Sequence, residues 1–214
     1  VKALLFLLFI SSNAYAENNL HLYSSRLVNT DNDSLLELAV SWKNDSGTGG
    51  VTLLKREGVF FKEVSKYSEK NYTPFFVRTG DIDNDRKIEL LVGAFDRAIG
   101  GRNGFTKKIH IFKIEENSLK PFWFSEREYD DFECVRIGEK NYLLELKKVD
   151  GNTSVSIFLW DSFGLWQSHS FISSVPLSIE RIHDEILLKG ENGKYLEFFE
   201  LDGKISVRIY GVNK

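Results

Sequence analysis

A single cysteine, Cys134, in a chain of 214 residues excludes a disulfide within the chain and any zinc site built on several thiolates. Positive charge is not in excess either. Lys and Arg number 28 against 31 Asp and Glu, a net charge of -3, so the basic footprint that nucleic-acid binding requires is missing. No apolar run long enough for a membrane helix follows Ile10. No linker rich in Pro or Ser divides the chain, and sustained helical periodicity is absent beyond the first residues. What the chain does have is aromatic bulk, 17 Phe, 8 Tyr and 4 Trp, a composition that favours β-structure.

The N-terminus carries Lys2, an apolar run from Ala3 to Ile10, then Ser11-Ser12-Asn13 and the small-residue motif Ala14-Tyr15-Ala16. This pattern reads as a secretory signal peptide over residues 1–16, cut after Ala16. The expectation is an exported product, periplasmic or secreted, whose mature chain starts near Glu17 without an integral membrane segment. Cys134 then stands alone in an exported protein. No neighbour in sequence lowers its pKa, so it is expected to fill core rather than act as a nucleophile.

Residues 29–40, Asn-Thr-Asp-Asn-Asp-Ser-Leu-Leu-Glu-Leu-Ala-Val, align without a gap with residues 81–92, Asp-Ile-Asp-Asn-Asp-Arg-Lys-Ile-Glu-Leu-Leu-Val. Six of the twelve positions are identical. Weaker copies lie at Asn141 to Leu146 and His183 to Leu188. Each copy continues through a polar loop, an apolar segment, a tight turn and a further apolar segment; the turns fall near Glu57-Gly58, Glu116-Asn117, Asp161 to Gly164 and Asp202-Gly203. Four strands per unit and four units, near 20–73, 74–129, 130–174 and 175–214, match the size of a propeller blade. The predicted fold class is therefore all-β, a small β-propeller of about four four-stranded blades formed by residues 17–214 as one domain. Alternation places Leu36, Leu38, Val40 and Trp42 on one strand face, and Ile88, Leu90 and Val92 on another, with Glu37 and Glu89 pointing the other way.

In residues 81–89 oxygen donors recur at every second position. A loop folded round a calcium ion would offer the side chains of Asp81, Asp83, Asp85 and Glu89 and the carbonyl of Lys87, hard oxygen ligands of the kind Ca²⁺ takes. Arg86 and Val92 stand where an EF-hand needs Gly and Glu, which excludes that motif. The first repeat offers Asn29, Asp31, Asp33 and Glu37, a weaker set with one carboxylate fewer. The alternative for both loops is a solvated turn whose Asp and Asn side chains cap backbone amides without a metal.

An acidic loop followed at once by an apolar strand, as in residues 81–95, resembles the FG-GAP or VCBS repeat of integrin-α-like β-propellers. Family loops usually carry Gly after the third acidic residue and Asp at the ninth position, where this chain has Arg86 and Glu89. The resemblance implies a calcium-stabilised, non-catalytic module that binds a protein or glycan. Its ring is closed by four blades or completed by another chain, a second copy included. The long loop from Asp96 to Gly104 is the candidate contact surface.

Two other classes stay open. A secreted or periplasmic hydrolase acting on glycans would use paired carboxylates such as Asp130-Asp131 or Asp184-Glu185. His21, His110, His169 and His183 lack metal-ligand spacing or a nucleophile motif. The third class is a structural envelope factor with no ligand beyond its partner.

Overall fold

The computed structural model describes residues 19–30, 36–97, 104–116, 118–182 and 185–211. The segment expected to be a signal peptide, Asp31, Asp33, His183 and Asp184 lie outside the described residues. Sixteen strands form four four-stranded antiparallel sheets, each an open meander of consecutive strands. The first sheet comprises β1 (Leu20–Val28), β2 (Glu37–Asn44), β3 (Thr48–Glu57) and β4 (Phe60–Lys70). The second has β5 (Thr73–Gly80), β6 (Glu89–Arg97), β7 (Phe105–Glu115) and β8 (Ser118–Glu126). In the third are β9 (Asp131–Ile137), β10 (Lys140–Val149), β11 (Asn152–Asp161) and β12 (Gly164–Ser173), and in the fourth β13 (Leu177–Ile182), β14 (Glu185–Gly190), β15 (Lys194–Leu201) and β16 (Lys204–Gly211). No helix among the described residues is long and apolar enough to cross a membrane.

The turns between the third and fourth strands of the first, second and fourth sheets carry the backbone that tight hairpins demand. Gly58, Glu116, Asp202 and Gly203 all have positive φ. A further regularity is invisible to composition. The pairing of third and fourth strands slips by one residue at Leu53/Leu54, Ile111/Phe112 and Ile157/Phe158, so that Val64, Phe122 and Ser168 bulge from the outer strands. In the fourth sheet the pairing runs from Lys194 to Leu201 without a slip. Bulges re-aim side chains and increase local twist. Pro121, which cannot donate to a ladder, sits beside one of them on the edge strand β8.

The chain divides into two compact units, residues 1–79 with 88–127 and residues 80–87 with 128–214. In the first unit, Ala39, Val51 and Leu53 of the first sheet share a core with Leu90, Val92, Ala94 and Phe112 of the second. Two side chains also bind backbone between these sheets: Val77 N–H donates to Ser24 Oγ (3.2 Å) and Leu119 N–H to Ser65 Oγ (2.8 Å). In the second unit, Leu144, Leu146, Val155 and Ile157 of the third sheet pack on Leu177, Leu188, Leu196 and Phe198 of the fourth, and Leu177 N–H donates to Thr153 Oγ1 at 3.0 Å.

The structure corrects the expectation drawn from alternation. Residues Glu37 to Trp42 of β2 and Glu89 to Ala94 of β6 are buried without interruption, so both faces of these strands are covered. Leu38 and Val40 form a smaller cluster with Leu54 and Phe61 on the face opposite Ala39. Leu36, by contrast, is exposed. Polar groups on such strands need internal partners. Trp42 Nε1 donates to Thr52 Oγ1 at 2.9 Å, and Glu37 accepts from Thr30. Asp96 Oδ2 accepts from Lys108 Nζ at 3.1 Å and lies 3.4 Å from His110 Nε2. His110 is itself packed edge-on against Tyr72 and stacked on Phe124.

Burial opposes ionisation of Asp96, but His110, the Arg97 N–H and Lys108 together outweigh it and hold the carboxyl at about 2. A folded-state pKa below the ordinary carboxylate value adds stability above pH 4 that is lost as the pH falls from about 4 towards about 2. Asp96→Asn is therefore expected to cost about 2 kcal/mol or more at pH 7, with Lys108 left uncompensated. Urea unfolding checks this: the gap between wild type and variant is full at neutral pH and closes between about pH 4 and about pH 2.

Candidate metal centre

The connection from β5 to β6, residues 81–88, begins at Gly80, where a Cβ would lie 2.3 Å from both Cβ and Sγ of Cys134. Only glycine lets the chain pass so close. Cys134 thus packs, half-buried, against the root of the acidic loop. Ile82 is fully buried and anchors the loop, while Asn84 (φ 61°) and Arg86 (φ 70°) turn it through the left-handed region. Arg86 adopts a backbone conformation that glycine accepts with less strain.

The loop's own amides fix its acids. Asp83 Oδ1 accepts from Asp85 N–H (3.2 Å), Asp85 Oδ1 from Lys87 N–H (2.8 Å), and Asp81 Oδ2 from Arg86 N–H (3.1 Å). Asn141 at the start of β10 pins the loop from outside. Its N–H donates to Asn84 Oδ1 (2.7 Å), its carbonyl accepts from Asn84 Nδ2 (3.3 Å), and its own Nδ2 donates to Asp81 Oδ2 (3.3 Å).

One oxygen of Asp81, Oδ1, is buried and receives no hydrogen bond. Carboxylate oxygens of Asp81, Asp83 and Glu89 lie within 4.8 Å of one another, and Glu89 is buried. Burial pushes the Asp81 carboxyl above its ordinary range; the charges of Asp85 and Asp83 add to this, and the Arg86 N–H opposes it. Three converging acids with only oxygen donors could hold a hard cation, which would relieve both the desolvation and the mutual repulsion. Asp85 stands outside this cluster, and its carboxylate accepts from Lys87 N–H.

The other copies of the motif differ. In the first, Glu37 is fully buried, and its Oε2 accepts from both the N–H and the hydroxyl of Thr30 at 2.9 Å; Lys55 Nζ lies 3.7 Å from Oε1. Asn29 is half-buried beside it in sequence. The third and fourth copies have no loop of this length. Ile137 pairs with Lys140 across a two-residue turn with Gly138 at φ 61°, and Ile182 pairs with Glu185, which leaves two residues between those strands.

Four of the remaining sequence candidates have partners of their own. Asp130 Oδ2 accepts from Lys148 N–H at 2.6 Å and Asp131 Oδ1 from Phe132 N–H at 2.9 Å, which makes both acids backbone caps. His21 pairs with Asp45 at 2.8 Å on the surface, and His169 meets Ser168 Oγ at 2.9 Å. In the candidate contact loop, Asp96 belongs to the buried cluster with Lys108, and residues 98–103 lie outside the described residues. Sequence reasoning missed the Asp96, Lys108 and His110 cluster, because only the β6–β7 register brings the two strands' charges together.

No family model matches the chain, and no curated protein matches it. Among solved structures it is similar to rhamnogalacturonan lyase YesW, with a TM-score of 0.52 and 13% identity over 84% of this chain and 41% of that one. It is similar to the exotype rhamnogalacturonan lyase YesX, with a TM-score of 0.54 and 14% identity over 84% of this chain and 40% of that one. It is also similar to a Bacillus licheniformis rhamnogalacturonan lyase, PL11, with a TM-score of 0.51 and 13% identity over 84% of this chain and 41% of that one. At this identity the likeness is one of fold. The chain spans about two fifths of the length of these enzymes.

Proposed function

We propose that this chain is an exported, non-catalytic β-propeller module that binds glycan and takes Ca²⁺ in an acidic loop of FG-GAP or VCBS type. The observation that carries the glycan reading is the likeness of fold to three polysaccharide lyases over 84% of the chain. The four repeated meanders support blades as the units of the fold. Asp130 Oδ2 and Asp131 Oδ1 each accept a backbone N–H, which favours a binding role over hydrolysis at that pair.

Calcium is favoured over softer metals because every donor in the Asp81, Asp83 and Glu89 cluster is a carboxylate oxygen. The first loop is the weaker site, since Glu37 is already committed to Thr30.

Electrophoresis through gels containing rhamnogalacturonan tests the glycan reading. Retardation in the polysaccharide gel, with the polymer recovered at its original size, is the expected result; migration unchanged in every polysaccharide tried would reject it. Melting curves test the metal. At saturating Ca²⁺ a site of this kind stabilises by about 2.7 kcal/mol at 100 times Kd, a rise of several degrees in Tm. Asp83→Asn keeps the loop's hydrogen-bond acceptor but removes a charge and should abolish most of that rise, whereas Asp85→Asn should keep most of it. Identical curves with Ca²⁺ and with chelator would leave the solvated turn as the correct description.

A further inference from the structure

The second unit carries a cleft of about 360 Å³ that no acidic-loop residue lines. Its walls are Lys148 at the end of β10, Pro176 and Leu177 where β13 begins, Glu180 within β13, and Lys189 and Glu191 around the end of β14. Leu177 pairs with Gly190 and Ile182 with Glu185, so the cleft occupies the end of the fourth sheet opposite the β13–β14 turn.

Side chains of the lining are paired. Glu180 Oε1 accepts from Lys189 Nζ at 2.7 Å and its Oε2 from the Tyr195 hydroxyl at 3.2 Å, which fixes the carboxylate from both sides. Charge-assisted bonds of this kind hold a side chain in one geometry. The floor is tied down as well: Leu177 N–H donates to Thr153 Oγ1, and Glu191 N–H to the Pro176 carbonyl at 3.2 Å. Tyr195 itself stacks on Tyr210 with 6.0 Å between ring centroids.

Two ammonium groups face two carboxylates in the lining, so the cleft has no excess charge with which to select an ion. It offers instead the remaining lone pairs of the Glu180 carboxylate, ammonium hydrogens of Lys148 and Lys189, and a small apolar floor at Pro176 and Leu177. A sugar ring matches that combination, with hydroxyls round its edge and C–H groups on its face. The volume lies at the small end of ligand pockets, enough for one or two sugar units. We infer that this cleft is a saccharide subsite, reading a sugar through its hydroxyl groups and not through ionic charge. The inference rests on the glycan-binding reading and gives that reading a location.

Calorimetric titration of the full chain with a rhamnogalacturonan oligosaccharide, and with a neutral glucan oligosaccharide of equal length, tests it. Ser178→Trp introduces bulk at an exposed position of the lining; it should abolish binding. Glu180→Gln should weaken binding about tenfold, the cost of a lost charge-assisted bond. Both variants should melt with the wild type, and a tenfold rise in salt should change the wild-type affinity by less than about twofold. Oligosaccharide binding that survives in two folded variants would overturn the cleft and leave glycan binding standing elsewhere on the chain. A steep loss of affinity with salt would overturn hydroxyl readout. Failure of the wild type to bind either oligosaccharide would overturn both the cleft and the glycan reading.

Discussion

Strands β2 and β6 are buried on both faces, and polar groups placed there need partners within the protein. That constraint explains the pairing of Trp42 with Thr52, of Glu37 with Thr30, and of Asp96 with Lys108. Each joins residues on different strands or at a strand end, so each is also a test of register. A slip of one residue would move the whole set to the wrong face and strand the charges without partners.

The acidic loop meets the same constraint by another route. Its backbone amides satisfy one side of Asp81, Asp83 and Asp85, and Asn141 fastens it to the start of β10. Asp81 Oδ1 is left buried without a hydrogen bond, close to two further carboxylates. A cation held by these acids would compensate for this arrangement. Where the connection contracts to two residues, at Ile137 to Lys140 and Ile182 to Glu185, the problem does not arise.

Much of the architecture was legible in the sequence, because turns and alternation are local. Gly and Asp residues at the hairpins, with the repeated Asp-Asn-Asp and Glu-Leu pattern, marked four units of four strands. The sheets begin at Leu20, Thr73, Asp131 and Leu177. The loop acids were also legible, since their spacing is local, although spacing did not reveal that Asp85 turns to cap Lys87 N–H. Non-local features were not legible. The bulges at Val64, Phe122 and Ser168 depend on pairing with a neighbouring strand. The burial of Glu37 and Glu89 depends on what covers the second face. The packing of Cys134 against Gly80 joins residues far apart in the chain.

We propose the acidic loop as a cation site and the Glu180 cleft as the place of glycan recognition. On that proposal, the Asp81 carboxylate is buried because a cation completes its environment. Anomalous scattering from a crystal of the protein grown in Ca²⁺ tests this directly. The predicted result is a peak about 2.3–2.6 Å from Asp81 Oδ1, with carboxylate oxygens of Asp83 and Glu89 at similar distances. A water molecule bonded to Asp81 Oδ1, with no anomalous peak in the loop, would contradict it.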